Sequence, residues 1–427
     1  MRCKSKIKCT AGFLVCLALF TGCGAKPDSG PILTAEKGEA PDGNAGKLEM
    51  LVRGADIICG TGSEAGFYYV APAPENMLTG NIRYVDYASG QDVYLSSQVN
   101  GDHRGEEDPS YLDSLAGETA LFLYNDRLFF LRGGAPAYAA NESFGERALS
   151  AIYSMGLDGA DRKRIYQGDS TSTLLPVVLA DDQFLYCFRV TMKEIELFKL
   201  AFDGGKETLV ATFPFGTQFL EGWDRNLIVQ TVEDVQAGND HRTDYTVYAF
   251  NVDTGEQTPI VSWGSEKLVY TAVNQEAFYL MGVNDGLLEK YTIAGAKETY
   301  PLGGYGSDTS FVCNAITSIG KYLFVPYYDE QSDCYYNLVV DTGDFSVVKS
   351  TIGYYDEGKH TQYEAKVIAE TEQEFLVITK SYVENATLDS GDGTEIAIEL
   401  PVYQMELFAK PDYLGSKNIS RQIVRQK

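Results

Sequence analysis

The feature that most constrains this chain is a recurrence. A short polar turn followed by a strand rich in Tyr, Phe, Leu and Val appears seven times, at residues 62–70, 124–131, 180–187, 222–229, 274–281, 318–325 and 371–378. After each comes a second strand–turn–strand unit. Its turn centres on Gly90, Gly159, Gly204, Gly255, Gly295 and Gly343, and more loosely on Gly415. Gly and Asp supply the positive-φ positions that tight hairpins need. The marker glycines lie 40 to 72 residues apart, so the base unit is two hairpins with insertions. A lone four-stranded sheet cannot bury both faces, whereas sheets stacked radially around an axis can. The sequence therefore predicts an all-β fold over residues 49–427: a seven-bladed β-propeller of four-stranded antiparallel blades. The 29 Tyr and 21 Phe suit strands, and little helical periodicity follows residue 50.

Two closures of the ring are open from sequence. The seven blades are continuous in the chain, or residues 47–52 return as a strand beside the last blade. With strands lettered A to D from axis to rim, A–B and C–D turns share one face, and B–C and D–A connections share the other. Long segments fall on the second face: 98–118, 303–309 and 353–362 as D–A loops, and 133–148, 233–244, 327–335 and 381–401 as B–C loops. Variable loops on a rigid frame commonly carry binding residues. Tyr305, Tyr327, Tyr328, Asp329, Tyr354, Tyr355 and His360 are the candidate ligand contacts, because tyrosine offers contact area with a polar tip.

These hairpins resemble those of bacterial β-propeller lipoproteins and, more distantly, TolB-like and low-density-lipoprotein-receptor-type propellers. The resemblance spans roughly residues 50–425 and is one of pattern, without the YWTD tetrad. The group it looks most like is largely of uncharacterised function, so the resemblance implies a fold more than an activity.

The first residues read as an export signal. Residues 1–9 are basic, 10–20 are apolar and too short to span a bilayer. Thr21 and Gly22 before Cys23 resemble the lipobox of bacterial lipoproteins, with Phe20 where Leu is usual. That resemblance implies a signal peptide at 1–22, a diacylglycerol on the Cys23 thiol, and a protein held to the membrane on the extracytoplasmic side of the cell envelope. Residues 23–48 then form a lipidated flexible tether. The formal charge of −25 falls to −29 without Arg2, Lys4, Lys6 and Lys8, which argues against nucleic acid as a partner. Cys59, Cys187, Cys313 and Cys334 remain in the body, far apart and without a CxxC, so one disulfide at most is foreseen.

No catalytic motif stands out. His103, His241 and His360 are scattered in predicted loops. Residues 60–65 fit GxGxxA, but a strand follows where a nucleotide site needs a helix, so a hairpin turn is expected. Asp389, Asp392 and Glu395 sit among glycines and form a calcium candidate; no other cofactor is foreseen. The expected role is non-catalytic binding of a protein, peptide or glycan through the long-loop face. One alternative is a carbohydrate-active enzyme with clustered carboxylates at the propeller centre, and another is a structural part of an envelope assembly.

Overall fold

The computed structural model describes residues 46–54, 57–96, 103–138, 145–237, 240–283, 286–302, 310–311, 316–329, 332–389 and 395–426. They form seven sheets, each built on a four-stranded antiparallel meander in chain order. Blade 1 comprises Gly60–Gly62, Gly66–Ala73, Asn76–Asp86 and Gln91–Tyr94; blade 2, Thr119–Tyr124, Arg127–Arg132, Ala151–Met155 and Lys163–Gln167. Blade 3 comprises Thr173–Ala180, Phe184–Val190, Ile195–Ala201 and Thr208–Phe213; blade 4, Gln218–Trp223, Asn226–Ala237, Asp240–Asn251 and Gln257–Gly264. Blade 5 comprises Val269–Val273, Phe278–Gly282, Leu287–Tyr291 and Lys297–Pro301; blade 6, Thr317–Ile319, Tyr322–Asp329, Cys334–Asp341 and Val347–Ser350. Blade 7 comprises Lys366–Glu370, Glu374–Asp389, Glu395–Ala409 and Arg421–Gln422. The seven-bladed propeller read from the recurrence is the fold.

The core lies between blades, as the burial argument requires. Phe122, Phe129 and Ile152 of blade 2 pack on Val178, Leu185 and Phe198 of blade 3. Tyr279 and Met281 of blade 5 pack on Leu323, Val325 and Leu338 of blade 6. Phe188 of blade 3 stacks on Phe219 of blade 4 at 3.9 Å between centroids. Each fully buried side chain of this size is worth about 1.5–3 kcal/mol, so every seam contributes. Five of the marker glycines hold positive φ in their C–D turns. At the sixth and seventh turns the left-handed residue is instead Phe345 (φ 58°) and Ser416 (φ 56°). The looser seventh turn is a short helix, Lys410–Leu414, whose Tyr413 is fully buried among Phe324, Phe375 and Phe408.

All seven blades are continuous in sequence. The return of residues 47–52 beside the last blade does not occur. Glu49–Arg53 pairs antiparallel with the innermost strand of blade 3, from Glu49 opposite Ala180 to Arg53 opposite Val177. It lies against the innermost strands of blades 2 and 4 and so occupies the central channel. Leu48 is buried, and its N–H donates to the Asp224 carbonyl. Closure falls to the last described residues. Arg421–Gln422 is the outer strand of blade 7, and Val424–Arg425 adds a parallel fifth strand outside Gln91–Tyr94 of blade 1. One short segment thus edges two adjacent blades.

Length variation is concentrated on the B–C and D–A face. Part of it differs in kind from the predicted loops. Residues 233–237 and 240–244 belong to the paired strands Asn226–Ala237 and Asp240–Asn251, and residues 381–389 and 395–401 to the paired strands Glu374–Asp389 and Glu395–Ala409. Residues 353–364 form a small hairpin whose first strand pairs parallel with Lys380 and Ser381. Continuing a ladder outward satisfies the backbone polar groups of a long connection without burying it.

Candidate functional site

On the B–C and D–A face, blades 6 and 7 carry a row of tyrosines. Tyr328 lies next to the end of the second strand of blade 6, and Tyr335 opposes it on the third. Their rings lie 4.8 Å apart. Tyr335 contacts Tyr363 at 5.3 Å, and Tyr363 contacts Tyr354 at 6.2 Å, both on the 353–364 hairpin. The row therefore crosses from one blade to the next. Tyr328, Tyr335 and Tyr363 are half-buried, so their rings are fixed while part of each faces solvent. The Tyr328 hydroxyl donates to Asp333, and Ser332 donates to Asp329 at 2.8 Å. The Tyr354 hydroxyl bonds Ser381 at 2.7 Å.

Burial, helped by Tyr363, Glu364 and Asp333, pushes the Tyr335 phenol above its ordinary pKa. Burial also raises Tyr354, and pushes nearby Tyr403 up to about 12 with help from Tyr354 and Asp356. These phenols stay protonated at neutral pH and can donate hydrogen bonds.

The predicted contacts are thus partly assembled and partly dispersed. Tyr328, Asp329 and Tyr354 come together. Tyr327 is 4 % exposed and packs in the blade 5–6 core against Tyr336, so it is placed for packing. Tyr354 is 8 % exposed and offers little surface. Tyr355, 40 % exposed, follows Tyr354 along the strand and turns instead into a neighbouring polar cleft. His360 sits exposed in the hairpin turn with φ 51°. Tyr305 lies outside the described residues, as do Cys23 and Asp392. Asp389 and Glu395 are opposite partners at the tip of the long blade 7 hairpin. Among the described residues, no three His, Cys, Asp or Glu side chains group as a metal site.

Tyr335 and Tyr363 went unnoticed in the sequence. Each alternates with apolar or paired neighbours and resembles core until the hairpin is folded onto blade 6. A second unforeseen feature is a buried network at the ring closure. Arg83 and Asp92, each 1 % exposed, pair at 2.9 Å. Asp92 also accepts from the Tyr69 hydroxyl at 2.7 Å. Arg83 lies over the Tyr94 ring and donates to the Gln426 carbonyl at 2.7 Å. His103 also stacks on Tyr94, at 4.1 Å, and bonds Asp108 through Nδ1 at 2.9 Å. This histidine lies in a loop, as expected, but its side chain is only 16 % exposed and is held by these contacts. The GxGxxA run at 60–65 is a strand and hairpin turn, as expected. Cys187 and Cys334 are free thiols.

Among the described residues, the inner strands at the ring centre hold one deeply buried carboxylate, Glu221, at 1 % exposure. It pairs with Arg53 of the channel segment and accepts from the Gly222 N–H at 3.0 Å. Burial raises the Glu221 pKa, and Arg53 opposes that shift. At the A–B face, Arg225 donates to the Gly46 carbonyl and to Asp181, both at 2.8 Å, while Asp182 accepts from the Gly46 N–H at 2.8 Å. The channel segment is therefore clamped where it enters.

No protein-family model matches this sequence, and no curated protein matches it either. Among solved structures the chain is similar to the S511A mutant of puromycin hydrolase complexed with PGG, with TM-score 0.49 and 10% identity, over 86% of this chain and 53% of that one. It is also similar to the β-propeller domain of the Trilobed protease from Pyrococcus furiosus, with TM-score 0.44 and 9% identity, over 88% and 98% of the two chains. Porphyromonas gingivalis dipeptidyl peptidase 4 matches with TM-score 0.43 and 10% identity, over 87% and 60%. The chain spans about half the length of puromycin hydrolase. At these identities the likeness concerns the propeller fold alone, which the strand pairing establishes independently.

Proposed function

We propose that this protein is a binding module held at the cell envelope, and that it engages a protein or peptide through the tyrosine row of blades 6 and 7. The observation that carries this reading is the row itself: Tyr328, Tyr335, Tyr363 and Tyr354 in ring contact across two blades. Fixed aromatic side chains with polar tips lose little conformational entropy on binding and dominate interface energetics. Asp333 bonds the Tyr328 hydroxyl, and Asp329 and Asp356 lie beside the row, each paired with a lysine of this chain; the charge of −25 favours a partner segment carrying Lys or Arg. The ring centre supports the same reading, because its segment 49–53 and the Glu221–Arg53 pair occupy the place a central catalytic carboxylate would need.

Anchoring completes the proposal. With a lipid on Cys23, the chain reaches the propeller at Gly46, on the A–B side. About 22 intervening residues span at most roughly 75 Å. A tether of that reach, joined on the opposite face, leaves the tyrosine row open to a partner.

Two measurements test this. Replacing Cys23 by Ser should move the protein from the membrane fraction to the soluble one; retention in membranes would remove the anchor. Envelope proteins cross-linked to the wild-type chain should be lost from a folded variant carrying Tyr328→Ala and Tyr335→Ala. Each anchor is worth about 1–2 kcal/mol or more. Identical capture by both chains would refute the row as the binding surface.

A further inference from the structure

On the face of blade 7 that looks toward blade 6, the apolar rows stop short. Phe375 and Val377 on the second strand and Phe408 on the third are buried against Tyr322, Phe324, Val339 and Tyr413. Further along, these rows become Thr379 on the second strand and Glu406 and Gln404 on the third. Strand alternation would call for apolar side chains there if the seam stayed closed. The ladder also bulges between Ile378 and Lys380. The seam opens at this point into a cleft of about 540 Å³ between the end of blade 6, the 353–364 hairpin and the C–D connection of blade 7.

We infer that this cleft binds a neutral oligosaccharide. The site is separate from the tyrosine row and stands whether or not that row binds a partner. Its volume lies within the range of small-ligand sites, but such sites are ordinarily lined by apolar groups. This one is lined mainly by amides and hydroxyls, including Gln362, Gln404, Thr379 and Ser420. That lining offers many donors and acceptors and little apolar surface, which matches a polyhydroxylated ligand. Glu406 is held in place as an acceptor. It takes hydrogen bonds from Thr379 at 2.8 Å, Gln404 at 3.2 Å and Ser420. Tyr355 brings an exposed ring to the wall, the platform on which a sugar ring can stack. The Lys380 ammonium, also in the lining, is paired with Glu357 at 2.8 Å, and the chain is strongly acidic. Both points disfavour an anionic sugar. The Gln362 amide lies over Gly353, where a Cβ would come within 2.2 Å of its Nε2. The missing side chain at 353 makes room for that amide.

The test is calorimetric titration of the full chain with maltotriose, cellotriose and triacetylchitotriose, beside triglycine. At least one trisaccharide should saturate with a Kd of about 10 μM to 1 mM. Tyr355→Ala and Gln404→Ala, each checked for native circular dichroism, should weaken it about tenfold. Tyr335→Ala should leave it unchanged, which separates this cleft from the tyrosine row. Saturation by none of the trisaccharides below about 10 mM overturns the inference. So does wild-type affinity in both cleft variants, or tighter binding of triglycine than of any sugar.

Discussion

Blade 7 meets its two neighbours in opposite ways. Toward blade 1 its face is apolar along the strands: Leu376, Ile378, Met405 and Leu407 pack on Phe67, Tyr69 and Val85, and Ile423 seals the edge. Toward blade 6 the same strands are apolar only at Phe375, Val377 and Phe408, then turn polar and part. A ring needs every seam to hold, but it does not need every seam to be closed along its whole length. The closing seam is also the one where chain continuity gives no help, since blades 7 and 1 are far apart in sequence. There the apolar packing is supplemented by a shared edge segment and a buried ion pair. The blade 6–7 seam is joined by the chain and anchored by Tyr413, so it can open without loosening the ring.

The largest expected effect follows from that difference. Arg83 is buried, and its removal leaves the Asp92 carboxylate buried without its guanidinium and releases the Gln426 carbonyl. Arg83→Ala should cost about 3–5 kcal/mol, the usual result of breaking one half of a buried pair. Urea denaturation followed by tyrosine and tryptophan fluorescence measures it. A loss below about 1 kcal/mol would mean that the closing seam rests on apolar packing alone, and the contrast between seams would lose its basis.

The next effect compares adjacent residues on one strand. Met405 faces blade 1 and is buried, whereas Gln404 faces the cleft. Met405→Gln places an amide in a closed apolar seam and should destabilise by about 2–4 kcal/mol. Equal tolerance at 404 and 405 would show both faces of blade 7 to be equally open.

How much of this was legible in the sequence depends on what set each feature. The seven strand pairs were legible because alternation and turn residues act locally. The face bearing the long connections was legible for the same reason. The channel segment was not. Leu48 to Val52 reads as a generic apolar strand, and its pairing with blade 3 depends on a channel that exists only once the ring has formed. The tyrosine row was half legible. Tyr327 and Tyr328 look alike in sequence, yet strand alternation sends one into the core and one to the surface. Their register could not be read without the fold. The cleft did leave a signal: Gln404 and Glu406 occupy alternate positions in line with Phe408, where a closed seam would be apolar.

The channel offers a smaller test, because it asks whether the ring is also braced from within. Arg53 is partly exposed, and its partner Glu221 is buried on the inner strand of blade 4. Arg53→Ala should cost about 1–2 kcal/mol at neutral pH. The folded-state pKa of Glu221 is raised, chiefly by burial. A raised carboxylate favours the fold below its ordinary pKa near 4.5, and that contribution is lost as pH rises through the folded value. The gap between wild type and variant should therefore close in acid and widen toward neutrality. A gap of constant size from pH 4 to pH 8 would mean that Arg53 acts through packing, not through the charge of Glu221.

The smallest effect is the most discriminating. If the blade 6–7 seam is open at the cleft, Gln404 is solvated and its side chain is not needed for folding. Gln404→Leu should then change stability by no more than about 0.5 kcal/mol, as surface substitutions usually do. The hydrogen bond from Gln404 to Glu406 does not alter this expectation, because Thr379 and Ser420 still donate to that carboxylate. A gain of more than about 1 kcal/mol would mean that the leucine closes the seam against blade 6, so that the polar row is held open at the expense of stability. A comparable loss would mean that Gln404 is part of a satisfied buried network. Either result would show that the two faces of blade 7 differ in chemistry but not in exposure to water.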